Sequence, residues 1–370
     1  VLEIREGDFE AFFDAPMACY RRTTPFVSPL KGDLRRALDP TKNPLYRHFA
    51  RRAYFTAHRA GSDAPVGRIL VQIHDASNAL HGWKRASFGL FDLVDDGHVA
   101  QALLQAASTW ARERGCDELI GSFNLTITQV LGVVTEGFDS APYTYQEWTP
   151  PHVARWLQEL GFERTFPMRT FEVDVRQVNA EDLLSERAQA LARDPQWSFE
   201  PIRRKGFEDR LRECAAVLNN AFAKNAMFVP LTQEEFLFPC EGMMWVIDER
   251  LSWIARYQGQ AVGAVLCIPD LNPFLRATDF RIKWSTPWHL LRSRLRRKRA
   301  ALIFFAVCRE HHGRGVNQVM LHRLVSAMQA AQYETLGISW VSDTNTASLR
   351  QMERLRARPL HRLHLFRKGL

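Results

Sequence analysis

One order of elements is written twice in this chain, about 215 residues apart, and a repeat at that spacing folds as a duplicated unit rather than as one enlarged core. In the first copy VGRILV at Val66–Val71 and ASFGLFDL at Ala86–Leu93 read as strands, Val99–Arg114 as a helix with apolar residues at helical spacing, and Cys116–Phe123 as a returning strand. In the second, Trp253–Ile268 reads as two strands broken at Gly259, Ala301–Val307 as a buried strand, Val316–Gln332 as an amphipathic helix and Thr335–Val341 as the next strand. Each copy closes with a helix, Pro151–Leu160 or Ala347–Arg356, followed by a strand-like tail, of which Phe162–Val175 is the first. The fold class implied is α/β in two tandem domains. At 370 residues and 46% hydrophobic composition the chain can bury two cores of about 150 to 200 residues each. The join is expected in the polar stretch Val178–Pro195, giving domains at 1–180 and 181–370, although that stretch also reads as the first helix of the second domain.

Composition narrows the setting. The longest apolar run, Ala300–Cys308, has nine residues, against about 20 for a bilayer-spanning helix, so no transmembrane helix is expected. The N-terminus VLEIREGDFEAFF lacks the long apolar core of a secretory signal, which makes a cytoplasmic protein the expectation. Cys19, Cys116, Cys214, Cys240, Cys267 and Cys308 form no Cys-x-x-Cys pair and no zinc-finger spacing, so free thiols and no metal are expected. The net charge of +8 points to anionic partners. Part of it sits in Arg281–Arg299, which carries eight Lys or Arg, no acidic residue, and Trp284, Trp288, Leu290, Leu291 and Leu295 interleaved. Such a segment can lie on the inner face of the inner membrane, drawn to anionic lipid by about 1 kcal/mol per basic residue. The alternative is a solvated helix whose Trp and Leu pack inward; nucleic acid is not favoured.

The segment ALIFFAVCREHHGRGVN at Ala301–Asn317 carries the chemistry of the second copy, because an apolar strand runs into a basic, glycine-punctuated turn that opens a helix. Gly313 and Gly315 let backbone N–H groups approach an anion, and the helix beginning near Val316 adds its partial positive charge. Arg309 and Arg314 are the expected phosphate contacts from side chains. A plain strand-to-helix loop is the competing reading.

This strand, turn and helix resemble the signature of the GNAT superfamily of acyl-coenzyme A dependent N-acyltransferases, Arg/Gln-x-x-Gly-x-Gly/Ala, which in this chain reads His312-Gly313-Arg314-Gly315-Val316-Asn317. His312 stands where Arg or Gln is usual and Asn317 replaces the last small residue. Over its full length the chain is similar to bacterial double-GNAT proteins, through DLRRALDPTKNPLYRH at Asp33–His48, VGRI at Val66, FNL at Phe123, EGFD at Glu136, PP at Pro150, ELGF at Glu159, MFVPLT at Met227, PDLNP at Pro269 and GRGV at Gly313. That group is in turn similar to the bacterial ceramide synthases. The resemblance implies two mixed, mostly antiparallel sheets flanked by helices, acyl-coenzyme A as co-substrate, and an amine acceptor such as a lipid. It also implies a coenzyme site made by Val307, Arg309, His312, Gly313, Arg314, Gly315, Val316, Asn317 and Asn345. Fem-like transferases, which also duplicate this fold but use aminoacyl-tRNA, are an alternative that the glycine turn disfavours. A scaffold that binds coenzyme A or lipid without catalysis is another.

Acylation of an amine needs a base, an oxyanion donor and a proton for the departing thiolate. The family's oxyanion donor is a backbone N–H, expected in this chain around Ala306–Cys308. Its usual acid, a Tyr seven residues after Asn345, is replaced by Met352. The first copy's helix entry, VDDGHVAQ, lacks the glycine cradle, and Asp95 and Asp96 would repel pyrophosphate. The first domain is therefore expected to donate side chains to a composite site, helped by the intervening segment Asn124–Trp148. Its candidates as base are His81, which titrates near neutrality, and Glu136 and Asp139 around Gly137; a loop histidine and a carboxylate-capped turn are the ordinary alternatives. Asn124, Asn225 and Asp270 are expected to touch substrate, with helix capping the other explanation for Asn124 and for Asn345. Asp92 reads as a satisfied buried carboxylate. The aromatic-rich passages Phe222–Phe238 and Leu271–Trp288 could line a slot for an acyl chain, or serve as core.

Overall fold

The computed structural model describes the whole chain except residues 49, 126–129 and 226–227 and the side chains of His48 and Ala50; the stretch MFVPLT begins at one of these excepted positions. The first half contains β1 (Leu2–Glu6), α1 (Phe9–Cys19), α2 (Lys31–Leu38), α3 (Pro44–His48), β2 (Ala50–Arg59), β3 (Pro65–His74), α4 (Asp75–His81), β4 (Arg85–Leu93), α5 (Gly97–Arg112), β5 (Glu118–Gly121), β6 (Val133–Glu136), α6 (Pro151–Glu159) and β7 (Glu163–Asp174). The second contains α7 (Glu186–Arg193), β8 (Trp197–Pro201), α8 (Phe207–Phe222), α9 (Gln233–Leu237), β9 (Trp253–Tyr257), β10 (Gln260–Pro269), α10 (Asn272–Ala277), α11 (Thr286–Leu295), β11 (Arg299–Val307), α12 (Val316–Ala330), β12 (Thr335–Ser342), α13 (Thr346–Arg354) and β13 (Arg358–Gly369). Every element of the expected repeat is present, within about three residues of its expected ends.

The duplication is visible in the pairing. Strands β2, β3, β4 and β5 of the first half repeat as β9, β10, β11 and β12 of the second, antiparallel except for the parallel pairs β4·β5 and β11·β12. The crossover helices α5 and α12 connect those parallel pairs, as parallel pairing requires. Both are amphipathic by sequence. Val99, Leu103, Leu104, Ala107 and Ala111 of α5, and Val319, Met320, Leu324, Val325 and Met328 of α12, are buried against their sheets. Each fully buried aliphatic side chain contributes about 1.5 to 3 kcal/mol.

The tails are both strands, as expected, and they join the two copies. Instead of closing their own copies they are exchanged: β7 pairs with β12 of the second half, and β13 pairs with β5 of the first. The two tails, each twelve residues long, also pair with each other, so both halves form one thirteen-stranded sheet. The exchange leaves no free strand edge at the centre of the molecule, where two separately closed sheets would have presented one each.

The parallel pairs fork. Pairing of β4 with β5 ends at Phe88↔Gly121, and pairing of β11 with β12 ends at Leu302↔Ile338. Beyond those points the strands diverge, leaving two clefts in the sheet. All six cysteines are free.

Candidate functional site

The fork of the second half is open. From Ile303 to Val307, β11 remains paired with β10, but its other edge has lost β12. The strand ends in a single helical turn at Arg309–His311, held by Arg309 N–H donating to Asn220 Oδ1 at 3.0 Å. Gly313 and Gly315 follow, at φ of 72° and 97°. Both lie in the left-handed region that glycine enters without strain. The two differ in their surroundings. A Cβ on Gly313 would meet nothing within 4 Å, whereas one on Gly315 would lie 3.1 Å from Ala188 Cα in α7. Gly313 thus presents open backbone to solvent, while Gly315 is required by packing as well as by conformation.

Helix α12 starts at Gly315 without a side-chain cap, so its first amides are available to an anion. Around it, Arg309 Nε, His311 Nδ1 and Asn317 Oδ1 are buried without a hydrogen-bond partner. Buried polar groups are nearly always paired, so three such atoms beside one turn distinguish it from an ordinary strand-to-helix loop. Arg314 is exposed there, and His312 binds the Val307 carbonyl through Nε2 at 2.8 Å. Val316 is core. Asn345 caps α13, accepting from Ser348 N–H at 3.1 Å, and Met352 is buried in the core beneath.

The fork of the first half is filled. Asn124 Oδ1 accepts from Leu90 N–H at 2.8 Å and from Ser122 Oγ at 3.2 Å, taking the amide that the divergence of β5 exposes. A Cβ on Gly89 would fall 1.8 Å from the Phe123 carbonyl oxygen, so only glycine admits this chain crossing. The N-terminus of α5 is already occupied by Asp96, which accepts from His98 N–H at 3.0 Å and pairs with Arg59 at 3.1 Å, while Asp95 pairs with Arg155.

Between the halves lies a cavity of about 550 Å³. Its walls are Leu30 and Leu34 beside α2, Leu90 and Phe91 of β4, the segment 142–149, and Met243, Val246, Ile268 and Phe274 from the second half. The walls are mostly apolar, but one end holds a polar cluster. Arg68, fully buried, donates to Asp92 at 2.7 Å and to the Phe12 carbonyl at 3.0 Å, and Tyr20 donates to Asp92 at 3.0 Å. Glu147 accepts from its neighbour Trp148 N–H at 3.0 Å and from the Asn124 side chain. Burial, followed by the negative charge of Asp92, pushes the Glu147 carboxyl up to about 8 from the usual 4.5, against the pull of those donors and of Arg68. A carboxyl in that range exchanges protons near neutral pH.

A second, smaller pocket of about 40 Å³ abuts this cavity. It is lined by Ile303 and Phe304 of β11, and shares Tyr145, Phe238, Pro239 and Met243 with the large cavity. Tyr145 is held at φ 66°, in the left-handed region where a non-glycine residue is strained.

Of the residues singled out by sequence, the structure gathers Val307, Arg309, His312, Gly313, Arg314, Gly315, Val316 and Asn317 at one turn, and places Asn124 beside Glu147 in the cavity wall. It separates the rest. His81 ends α4, stacked on Trp83 at 4.2 Å, and lies beyond the start of β4, roughly 20 Å from the carboxylates at the other end of that strand. Glu136 and Asp139 are exposed in a turn whose Gly137 abuts β13, where a Cβ would lie 2.0 Å from the Leu360 carbonyl oxygen. Asn225 is exposed after α8, outside the cavity wall. Asp270 is buried and occupied: it accepts from Thr144 N–H at 3.0 Å and Thr144 Oγ1 at 2.9 Å, and pairs with Arg299 at 2.9 Å. It fastens the segment 142–149 to the second half rather than facing the cavity. Glu147, Tyr20, Tyr145 and the Arg68–Asp92 pair were not among the expected site residues. Glu147 lies within the segment Asn124–Trp148, but nothing in PYTYQEWTPP marks that carboxyl as buried. Among the described residues no cluster of His, Cys, Asp or Glu could hold a metal ion.

Residues 221–356 match the model of the acetyltransferase (GNAT) family. The chain is 25% identical to Protein YghO of Escherichia coli (strain K12) over 375 residues, covering 99% of this chain and 94% of that one. It is 26% identical to the bacterial ceramide synthase of Caulobacter vibrioides (strain NA1000 / CB15N) over 280 residues, 72% of this chain and 68% of that protein. Among solved structures it is similar to a tandem GNAT protein from the clavulanic acid biosynthesis pathway, with a TM-score of 0.60, 14% identity, and coverage of 100% of this chain and 98% of the other. A GCN5-related N-acetyltransferase from Sphaerobacter thermophilus gives a TM-score of 0.53 at 13% identity, over 100% and 95% of the two chains. The fold is therefore that of tandem GNAT acyltransferases.

Proposed function

We propose that this protein transfers a long acyl chain from coenzyme A to the amine of a sphingoid-like lipid, forming an amide. The observation that carries the reading is the cavity of about 550 Å³, mostly apolar, with the raised carboxyl of Glu147 in its wall and, against it, a smaller pocket lined by Ile303 and Phe304 of β11. An acetyl group needs no such space. A long chain gains about 0.8 kcal/mol per methylene buried, enough to select itself without polar recognition.

In this reading the pyrophosphate rests on the amides of Gly313 to Asn317, with Arg309 and Arg314 as charged donors. The pantetheine arm follows the unpaired edge of β11, which brings the thioester to the small pocket beside Ile303, Phe304 and Tyr145. The amine enters the large cavity as an ammonium and gives a proton to Glu147. The free amine attacks the thioester carbonyl, the oxyanion is met by a backbone N–H of Ala306–Cys308, and collapse breaks the C–S bond to leave amide and thiolate. With Met352 buried in the core, no phenol from α13 can protonate that thiolate. Tyr145 is the phenol that lines both pockets; it gives its proton to the thiolate and regains one from the nitrogen of the tetrahedral intermediate, which loses its second proton there to become the amide.

The first half contributes the base and the cavity wall while binding no coenzyme, since its fork is filled by Asn124 and its helix entry by Asp96. A lipid acceptor also sets the enzyme beside the inner face of the inner membrane.

The test is direct. Purified protein with palmitoyl-coenzyme A and sphinganine should yield the amide, followed by mass spectrometry, and palmitoyl-coenzyme A should raise the melting temperature. Absence of both product and stabilisation would overturn the reading. Stabilisation by palmitoyl-coenzyme A with no amide from any amine would favour the scaffold alternative, for which the buried Met352 is the supporting observation.

A further inference from the structure

We infer that the mouth of the central cavity is a membrane-docking surface, through which an amphiphile passes sideways from an anionic phospholipid bilayer into the site. Eight large apolar residues stand exposed among the described residues. Six of them, Trp245, Ile282, Trp284, Trp288, Leu291 and Leu295, come from two segments that touch, since Arg294 of α11 donates to the Trp245 carbonyl. Trp284 is 95% exposed and Leu295 78%, and no residue of α11 is buried. The inward packing that would have made this an ordinary surface helix is absent. A soluble surface rarely gathers apolar side chains in this way without something to cover them.

The patch and the cavity share a rim. Ile282 is 75% exposed and at the same time part of the cavity wall, and Gly242 and Val246 of that wall flank Trp245 in the chain. Whatever covers the tryptophans therefore also covers the entrance.

Charge decides what that cover is. Residues 281–299 carry eight Lys or Arg and no carboxylate of their own. Several are neutralised from outside: Arg281 by Asp14, Lys283 by Asp279, Arg297 by Asp248, Lys298 by Glu334 and Arg299 by Asp270. Arg292 and Arg296 remain exposed, with no carboxylate partner among the described residues. A second copy of this chain docked patch to patch would set these positive charges against their own kind. An anionic bilayer answers both features, because tryptophans and leucines seat at the headgroup boundary while arginines meet lipid phosphate. Docking stands without the acyltransferase reading; only the identity of what passes through the mouth rests on it.

The experiment is co-sedimentation of the full chain with vesicles of phosphatidylglycerol and phosphatidylethanolamine, and with vesicles of phosphatidylcholine alone. Binding should require phosphatidylglycerol, weaken with added salt, and blue-shift tryptophan emission. The double variant Trp284→Ala, Trp288→Ala should bind more than about tenfold more weakly with an unchanged melting temperature, and Arg292→Glu with Arg296→Glu should do the same. In the amide assay, the tryptophan variant should lose rate with vesicle-embedded sphinganine but not with a short-chain, water-soluble amine. No binding to phosphatidylglycerol vesicles, equal binding by the tryptophan variant, or a dimer in solution that this variant dissociates would each overturn the inference. Anionic-vesicle binding by a protein that makes no amide from any amine would support docking and count against the acyltransferase reading alone.

Discussion

Replacing Glu147 by Gln keeps the shape of the cavity and removes the carboxyl proposed to take the proton, so it separates the carboxyl's charge from its bulk. The Glu147 carboxyl titrates at about 8 in the folded protein and near 4.5 when exposed. Below the lower value both folded and unfolded chains hold the proton, and the group costs nothing. Between the two values the folded chain keeps a proton that the unfolded chain releases, so stability falls as pH rises, by about 1.4 kcal/mol per pH unit. Across the whole window the loss is about 5 kcal/mol, and it is complete once pH passes the folded value. The uncharged amide of the Glu147→Gln variant has no such dependence. The stability of the variant minus that of the wild type should therefore climb between about pH 5 and about pH 8 and then level off. Urea denaturation of both proteins across that range measures it. Over the same range kcat/KM of the wild type should rise with pH as Glu147 ionises, and the variant should lose about 10²- to 10⁴-fold in rate along with that limb of the profile. A stability difference that stays constant with pH would refute the raised carboxyl. A variant with full activity would refute its role as base.

Gly313→Val should weaken coenzyme binding by isothermal titration while leaving the fold intact, because the added side chain meets nothing but must enter φ 72°. Gly315→Val should instead lower the melting temperature, since it presses on the α7 backbone. Arg68→Met should destabilise by about 3 to 5 kcal/mol in denaturant unfolding by leaving Asp92 buried and unpaired, whereas changing Arg68 and Asp92 together to Met and Leu should recover most of that loss. Residues 1–180 expressed alone should be insoluble or aggregate by light scattering, because removing β13 bares the edges of β5 and β7; a stable monomer would show that the exchanged strands are dispensable.

Much of the fold could be read from local pattern. Ala301–Val307 and Val316–Gln332 announce a buried strand and a helix because an unbroken apolar run and helical spacing each suit one element. The glycine turn between them was equally plain, since left-handed φ at positions 313 and 315 needs glycine whatever the surroundings. The proposed base was not legible. His81, Glu136 and Asp139 offered the right atoms, but a residue's place in the chain does not say which end of a strand it occupies or whether water reaches it. Glu147 differs from Glu136 in its burial and in its neighbours Asn124, Asp92 and Arg68, all of them distant in the chain.

Local chemistry along the chain was thus sufficient for the repeated order of elements and for a glycine turn between strand and helix in the second copy, because backbone conformation and amphipathic period depend on near neighbours. Which tail closes which sheet, where the cavity lies, and which carboxyl keeps its proton depended on pairings across the whole length: β13 beside β5, Asp270 holding Thr144, Asp92 and low-dielectric walls around Glu147. Desolvation and strand exchange are properties of surfaces brought together, and no stretch of sequence carries both surfaces.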